Sequence, residues 1–176
     1  FNDETEMERF LEEVTTSDWN EEQDGGRSLQ EGTEWLVNKH PQHEENIRAF
    51  YGRWDEMLGE AFHDVVEIFR QLKESGKYKI YALTNWSAET FPVALERFEF
   101  LHWFDGIVVS GAEKMRKPTP EFYHILLDRY DVKADEALFI DDNHRNILAA
   151  EKIGIQCIHF ISAEQLGEEL NRIRIL

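Results

Sequence analysis

The spacing of apolar residues along the chain changes in character near residue 63. Before this point, apolar residues recur at helical intervals in three stretches, about 3–14, 29–39 and 43–60. No short apolar run of the kind that forms a buried strand interrupts them. The segment 17–26 is polar and rich in turn-forming residues, so we interpret it as a loop. The pattern predicts an all-helical unit over residues 1–62.

From residue 63 onward, short apolar runs alternate with amphipathic stretches. Four runs predict strands: 80–83, 107–109, 137–140 and 155–161. The stretches between them predict helices, with Asp64 and Glu67 as a capping box, Gly76 as a helix stop and Thr119 as a helix cap. Because strands that alternate with helices pair in parallel and are covered on both faces, we predict a Rossmann-like, three-layer α/β core over residues 63–176.

Composition narrows the class of protein. The 176 residues are 41% hydrophobic and 12% aromatic, which suffices for the core of one domain with a small insert. Nineteen basic and 36 acidic residues give a net charge of −17, which argues against nucleic acid or an anionic membrane as the partner. The single cysteine, Cys157, allows no internal disulfide and is compatible with a reducing cytoplasm. We therefore expect a cytoplasmic protein.

Polar residues follow the predicted strands at the positions where parallel sheets bind ligands. Thr84 and Asn85 follow the first strand, Ser110 the second, and Asp141 and Asp142 the third, while Lys117 stands in a loop directly before a helix. A hydroxyl, an amide, an ammonium group and two carboxylates would then meet at one edge of the sheet. This set suits a phosphoryl group held with a divalent cation, since Mg²⁺ prefers oxygen ligands and a lysine can stabilise oxyanion charge.

Each of these features also has a purely structural interpretation. Thr84 and Asn85 can simply close a strand, and Lys117 can be a solvated surface charge. The adjacent pair Asp141 and Asp142 is more specific, because two carboxylates repel each other unless a cation or a donor offsets them. The order and spacing of all three segments favour a functional site over separate structural roles.

The three segments resemble, in the same order, motifs of the haloacid dehalogenase superfamily, and specifically its capped, phosphatase-like members. Residues 83–87 look like the second family motif, 117–122 like the third and 139–143 like the fourth. The resemblance covers about 64–162 closely, and residues 1–62 match the family's helical cap in kind rather than by motif. It implies that Thr84 hydrogen-bonds the transferring phosphoryl group, with Asn85 in support.

The resemblance assigns roles to the charged residues as well. Lys117 would orient the nucleophile and neutralise phosphoryl charge, while Asp142 would be the main Mg²⁺ ligand from this segment, with Asp141 assisting directly or through other ligands. The cap would close over the site, which makes Trp19, Asn20 and Asp24 candidates for substrate contact. For these three residues, an ordinary surface loop with a packed tryptophan is an equally open interpretation.

The chain departs from the family pattern at its beginning. Family members start with a strand that ends in Asp-x-Asp, whose first aspartate is the nucleophile and whose second is the general acid and base. No such strand occurs here, since Asp3 and Asp18 lie in polar context. That strand is central in the family's sheet, so its absence would leave a strand-sized gap in the core. We expect it upstream of Phe1.

The leading hypothesis is a Mg²⁺-dependent hydrolase of small phosphate monoesters that works through an aspartyl-phosphate intermediate. One alternative is a metal-free 2-haloacid dehalogenase, although such family members generally lack the double carboxylate of the fourth motif. A phospho-receiver module would carry its acidic pair after the first strand, contrary to the order here. A binding protein with an inactive site is favoured only if the polypeptide begins at Phe1. The sequence does not indicate the oligomeric state.

Overall fold

The computed structural model describes Phe1 and residues 3–176. Its first part is helical, with α1 (Glu4–Glu13), α2 (Ser17–Asp24), α3 (Leu29–Lys39), α4 (Glu44–Gly52), the short α5 (Trp54–Met57) and a 3-10 turn at Pro41–His43. These helices pack around a buried cluster of Phe10, Val14, Trp19, Leu36, Val37 and Ile47. Among the described residues, none of the helices has the length and apolarity needed to cross a membrane.

Two predictions for the helical region are wrong. The segment 17–26, interpreted as a loop, contains helix α2, which begins because the Thr16 hydroxyl accepts a hydrogen bond from the Trp19 N–H. Its polar composition hides the helix, whose buried face consists of Trp19 and Gln23. The predicted helix over 43–60 is divided into α4 and α5, because the chain leaves helical geometry at Arg53, directly after Gly52.

The second part alternates strands and helices as predicted. The helices are α6 (His63–Ser75), α7 (Phe91–Arg97), α8 (Ser110–Glu113), α9 (Pro120–Arg129), α10 (His144–Lys152) and α11 (Ala163–Arg172), and the strands are β1 (Tyr81–Thr84), β2 (Gly106–Val109), β3 (Leu138–Asp141) and β4 (Gln156–His159). Two 3-10 turns lie at Glu99–Trp103 and Ala134–Glu136.

The helix boundaries of this part follow only some of the predicted signals. Gly76 ends α6 in the left-handed conformation, with φ 64°, as a helix stop should. The predicted capping box is wrong, because Glu67 pairs with Arg70 and the Asp64 carboxylate accepts from the Val65 N–H. Thr119 precedes α9, but its side chain makes no capping hydrogen bond.

All strand pairing in the described residues is parallel, and it occurs in two separate pairs. β1 pairs with β2, with Thr84 opposite Val109, and β3 pairs with β4, with Asp141 opposite His159. The prediction of parallel pairing is confirmed, and among the described residues the division into two pairs agrees with the strand-sized gap that the sequence predicts in the core. β1 and β3 thus each have one edge without a strand partner among these residues.

A large apolar groove separates the two strand pairs. Its volume is about 890 Å³, and its lining includes β1 and β3 together with faces of α6, α9 and α11. Leu83 and Phe139 border it from the two strands. Strand residues predicted to be buried on both faces are therefore mostly half-buried. The groove lies where the sequence predicts a gap in the core.

Candidate active site

A hydrogen-bonded network joins the loop after β1, the loop before α9 and the end of β3. The Asn85 amide binds the backbone of Lys117 twice, since Nδ2 donates to its carbonyl at 3.0 Å and Oδ1 accepts from its N–H at 2.8 Å. The Lys117 ammonium in turn donates to Oδ2 of Asp141 at 2.6 Å. The structure therefore brings together three of the residues that the sequence singles out, one from each motif segment.

Asp141 lies at the centre of donors and is almost fully buried. Besides Lys117, its carboxylate accepts from the Asn143 N–H at 2.8 Å and from Nδ2 of Asn146 at 2.9 Å. The Tyr123 hydroxyl donates to the Asn146 carbonyl at 2.8 Å and so fixes the start of α10. A buried carboxylate is tolerated only when its oxygens are satisfied in this way. The side chain of Asp141 is thus a fixed anchor for Lys117.

Asp142 and Thr84 are placed differently. Asp142 is exposed directly after β3, and no hydrogen bond to its carboxylate occurs within the described residues, although its backbone carbonyl contacts Nε2 of His159 at 2.9 Å. Thr84 is the last residue of β1, is half-buried and borders the groove. Both residues stand at the carboxyl end of a parallel strand, which is where open α/β sheets bind ligands.

The residues at this edge fit a magnesium ion. Mg²⁺ keeps several waters and binds proteins through one or two carboxylates, often with substrate phosphates. Asp142 offers an exposed carboxylate, and Asp141 lies next to it in the chain. Residues 1 and 3–176, as far as described, hold no group of three or more His, Cys, Asp or Glu side chains placed to bind a metal. Further ligands would come from water, substrate or residues elsewhere.

A cavity of about 190 Å³ lies between the helical region and the loop after β1. The helical region contributes Asn20, Asp24, Tyr51 and Trp54, and the loop contributes Asn85, Trp86, Ser87 and Thr90. Two of the three predicted substrate-facing residues, Asn20 and Asp24, thus line a cavity together with Asn85. Because Asn85 also belongs to the hydrogen-bonded network, the cavity adjoins the carboxyl edge of β1.

Trp19 does not line this cavity, so its predicted substrate contact is corrected. Only 5% of the residue is exposed, and its Nε1 donates to the Gly32 carbonyl at 3.0 Å. Its ring packs against Phe50 and Tyr51, with centroids 5.4 Å and 5.3 Å away. Trp19 is therefore packed in the apolar core of the helical region, and its polar neighbour Asn20 lines the cavity instead.

Burial perturbs the ionisable groups that line the cavity. It raises the pKa of Asp24 to about 6, an effect that a hydrogen bond from the Ser87 backbone and the nearby charge of Arg116 only partly offset. Burial also raises the pKa of the Tyr51 hydroxyl, which donates to Oδ1 of Asn20 at 2.7 Å and accepts from Gln23 at 2.9 Å. Tyr51 is therefore a neutral donor that fixes the orientation of Asn20.

Several residues connect helix α2 to the site, and the sequence marks Ser110 among them but not the charged ones. Glu21 accepts from Arg116 at 2.7 Å and from Arg145 at 3.3 Å, and these arginines flank the third and fourth motif segments. The buried Ser110 hydroxyl donates to the Asp24 carbonyl at 2.6 Å and accepts from the Trp86 N–H at 2.9 Å. Ser110 stands out in the sequence because it follows the second predicted strand, whereas the only sequence signal for Arg116 is its position next to Lys117.

The chain is similar in sequence to known proteins. The family model for haloacid dehalogenase-like hydrolases matches residues 5–160. The chain is 34% identical over 109 residues to the sesquiterpene phosphatase astK of Aspergillus oryzae, an alignment that covers 62% of this chain and 55% of the relative. It is 32% identical over 109 residues to the pyrophosphatase PpaX of Bacillus cereus, covering 62% of this chain and 50% of the relative.

A solved structure shares the fold. The magnesium complex of a haloacid dehalogenase family enzyme from Bacteroides thetaiotaomicron superposes with a TM-score of 0.70 at 20% identity, over 91% of this chain and 82% of that one. The chain spans about half the length of the two curated relatives. Since the family model covers most of the 176 residues, the chain belongs to the haloacid dehalogenase-like hydrolase family.

Proposed function

We propose that this chain provides the cap and most of the core of a Mg²⁺-dependent hydrolase of small phosphate monoesters. The observation that carries the proposal is the network from Asn85 through Lys117 to Asp141, which links an amide, an ammonium group and a carboxylate at the ends of β1 and β3. Relatives named as phosphatases support the same reaction class. Residues 1–62 are the proposed cap, and 63–176 the proposed core.

The nucleophile in this proposal is an aspartate on a strand outside the 176 residues. The groove between β1 and β3 supports this placement, because both strands have an edge without a strand partner among the described residues. A parallel strand in the groove would end near Thr84 and Asp141, at the edge that carries the polar residues. A carboxylate at its end would then face the ammonium group of Lys117.

The residues of this chain have distinct proposed roles. Thr84 donates a hydrogen bond from its hydroxyl group to an oxygen of the phosphoryl group. Lys117 uses one of its three N–H donors on Asp141 and has the others available for the nucleophile and the phosphoryl oxygens. Asn85 is a positioning residue, since its amide oxygen and its amide nitrogen each bind the backbone of Lys117.

Asp142 is the proposed carboxylate ligand of the magnesium ion, and Asp141 stands beside it, held by Lys117. When bound, Mg²⁺ neutralises charge on the phosphoryl oxygens. In the reaction, the upstream aspartate attacks phosphorus and the bond to the alcohol oxygen breaks. The alcohol leaves with a proton from the general acid on the same strand, and water then hydrolyses the aspartyl phosphate.

The exposed carboxylate of Asp142 favours phosphate transfer over metal-free dehalogenation, because dehalogenation has no need for a cation ligand at this position. The test is product release by the intact protein from phosphate monoesters and from a 2-haloacid, each with and without a chelator. The proposal predicts phosphate release that stops on chelation and returns with Mg²⁺. Halide release that is indifferent to the chelator would overturn it in favour of a dehalogenase, and no release of either product would favour a binding protein.

A further inference from the structure

We propose that the cavity between α2, α5 and the loop after β1 binds the alcohol half of the substrate, and that it selects a small alcohol carrying a second hydrogen-bond donor, either a hydroxyl or an amino group. The inference rests on the proposed phosphatase function and adds a substrate class to it.

The cavity is small and partly walled by aromatic rings. Its volume of about 190 Å³ lies below the roughly 300–1,000 Å³ of pockets that take drug-sized ligands. Trp54 and Trp86 both line it and pack edge to face against each other, with centroids 5.8 Å apart. A leaving group of a few carbon atoms fits such a space, whereas most of a long isoprenoid chain would lie outside it.

The polar groups of the cavity define what the alcohol must carry. Among the described residues, the Ser87 backbone donates a hydrogen bond to the Asp24 carboxylate, which has acceptor capacity to spare. The NH₂ group of Asn20 makes no hydrogen bond among the described residues, while Tyr51 holds the carbonyl oxygen of the same amide. One wall therefore presents an acceptor and a donor. A hydroxyl group satisfies both, and an amino group pairs with the carboxylate.

The charge of Asp24 excludes other substrate classes. With a pKa near 6, this carboxyl is mainly ionised at neutral pH, in a partly desolvated place. A second phosphate or a carboxylate on the substrate would be repelled there. The cavity is thus unsuited to inorganic pyrophosphate and to phosphorylated acids. Because Asn85 lines the cavity and also binds Lys117, an alcohol held there lies beside the proposed phosphoryl site.

The experiment compares substrates that differ only in the second donor. Glycerol 3-phosphate and O-phosphoethanolamine are measured against n-propyl phosphate, with pyrophosphate and an isoprenyl phosphate as further probes, in the intact protein. The expected kcat/KM for the two donor-bearing esters is about tenfold or more above that for n-propyl phosphate, as befits a hydrogen bond to a charged group. Asp24→Ala should reduce this ratio to near one. Asp18→Ala, an exposed aspartate on the same helix, should leave the ratio unchanged.

Binding is measured separately, by quenching of tryptophan fluorescence in the wild type and in Trp54→Phe and Trp86→Phe variants. Tighter binding of glycerol 3-phosphate or O-phosphoethanolamine than of n-propyl phosphate, lost in Asp24→Ala, supports the inference even if no ester is hydrolysed, in which case only the proposed function fails. Equal use and equal binding of all three esters would overturn it. A preference for pyrophosphate or for the isoprenyl phosphate would overturn it as well. The two donor-bearing esters together show whether the favoured group is a hydroxyl or an amine.

Discussion

The ammonium nitrogen of Lys117 lies 2.6 Å from Oδ2 of Asp141, and less than a tenth of either side chain is exposed. The two residues are 24 positions apart in the sequence, in different motif segments. Because charges so deeply buried are stable only as a hydrogen-bonded pair, each residue fixes the place of the other. The loop that carries Lys117 is thereby tied to the end of β3.

Removing one partner of this ion pair should destabilise the protein strongly. We expect Lys117→Met to lower the free energy of unfolding by about 3–5 kcal/mol, because it leaves the Asp141 carboxylate buried without its counter-charge. The measurement is urea unfolding. The matched control is Lys133→Met, which breaks an exposed pair with Glu136 and should cost about 0–1 kcal/mol. Similar losses in the two variants would contradict the buried pairing.

Asp24 should make stability depend on pH in a defined direction. Its folded-state pKa is raised from 3.8 to about 6, so the folded form binds the proton more tightly than the unfolded form. The stability associated with this proton is fully present below pH 3.8 and is lost as the pH rises through about 6. Asp24→Asn should therefore gain in melting temperature relative to the wild type as the pH is raised from 4 to 8.

The control for this experiment is Asp18→Asn, because Asp18 is an exposed aspartate on the same helix. The gain in melting temperature between pH 4 and pH 8 should be larger for Asp24→Asn than for this exposed-site variant. A difference between Asp24→Asn and the wild type that stays constant over this range would contradict the effect of burial on Asp24.

Gly111 should be intolerant of a side chain. A Cβ atom there would lie 2.3 Å from the Ala88 nitrogen, which belongs to the loop that carries Asn85. We expect Gly111→Ala to cost about 1–3 kcal/mol of unfolding free energy, as overpacking does, and to reduce activity by shifting that loop. A Cβ atom at Gly167 in α11 would have no such neighbour within 4 Å. Gly167→Ala should therefore stabilise the protein by about 0.5–1 kcal/mol, because alanine favours the helix over glycine. Equal effects of the two changes would argue against the close approach.

The link between α2 and the motif loops should weaken in salt. Glu21 binds Arg116 and Arg145 with part of its side chain exposed, so the pairing is open to screening. Glu21→Gln should lower the free energy of unfolding by about 1 kcal/mol at low ionic strength and by less at high ionic strength. The melting temperature should fall accordingly. Glu12→Gln, on the exposed face of α1, serves as the comparison and should show no such salt effect. A loss that is the same at every salt concentration would contradict an ionic link.

The sequence predicts the fold well where apolar runs are continuous and poorly where they are not. The strand 137–140 and the acidic residues after it stand out because a buried run ends in two carboxylates. Helix α2 does not stand out, since only Trp19 and Gln23 of its eight residues are buried. The order of the strands along the chain does not specify which strand edges meet, so the pairing of β1 with β2 and of β3 with β4 is known only from the structure.

The residues of the site likewise divide into those that a local sequence pattern indicates and those that it does not. Asn85, Lys117 and Asp141 are predictable, because each comes at the end of a strand or the start of a helix with a motif around it. The bond from Glu21 to Arg116 joins residues 95 positions apart, and no local pattern indicates it. The cavity around Asp24 likewise depends on how the helical region packs against the loop after β1, which is a property of the tertiary structure.

The most direct test of the proposed function is a magnesium titration of phosphate release by the intact protein and its Asp142→Asn variant. The account predicts that the variant needs at least about tenfold more Mg²⁺ for half-maximal activity, or is inactive, because it lacks the carboxylate ligand. Asp128→Asn, an exposed change on α9, should follow the wild-type curve. Coincident curves for the wild type and Asp142→Asn, or activity that needs no metal, would contradict the account.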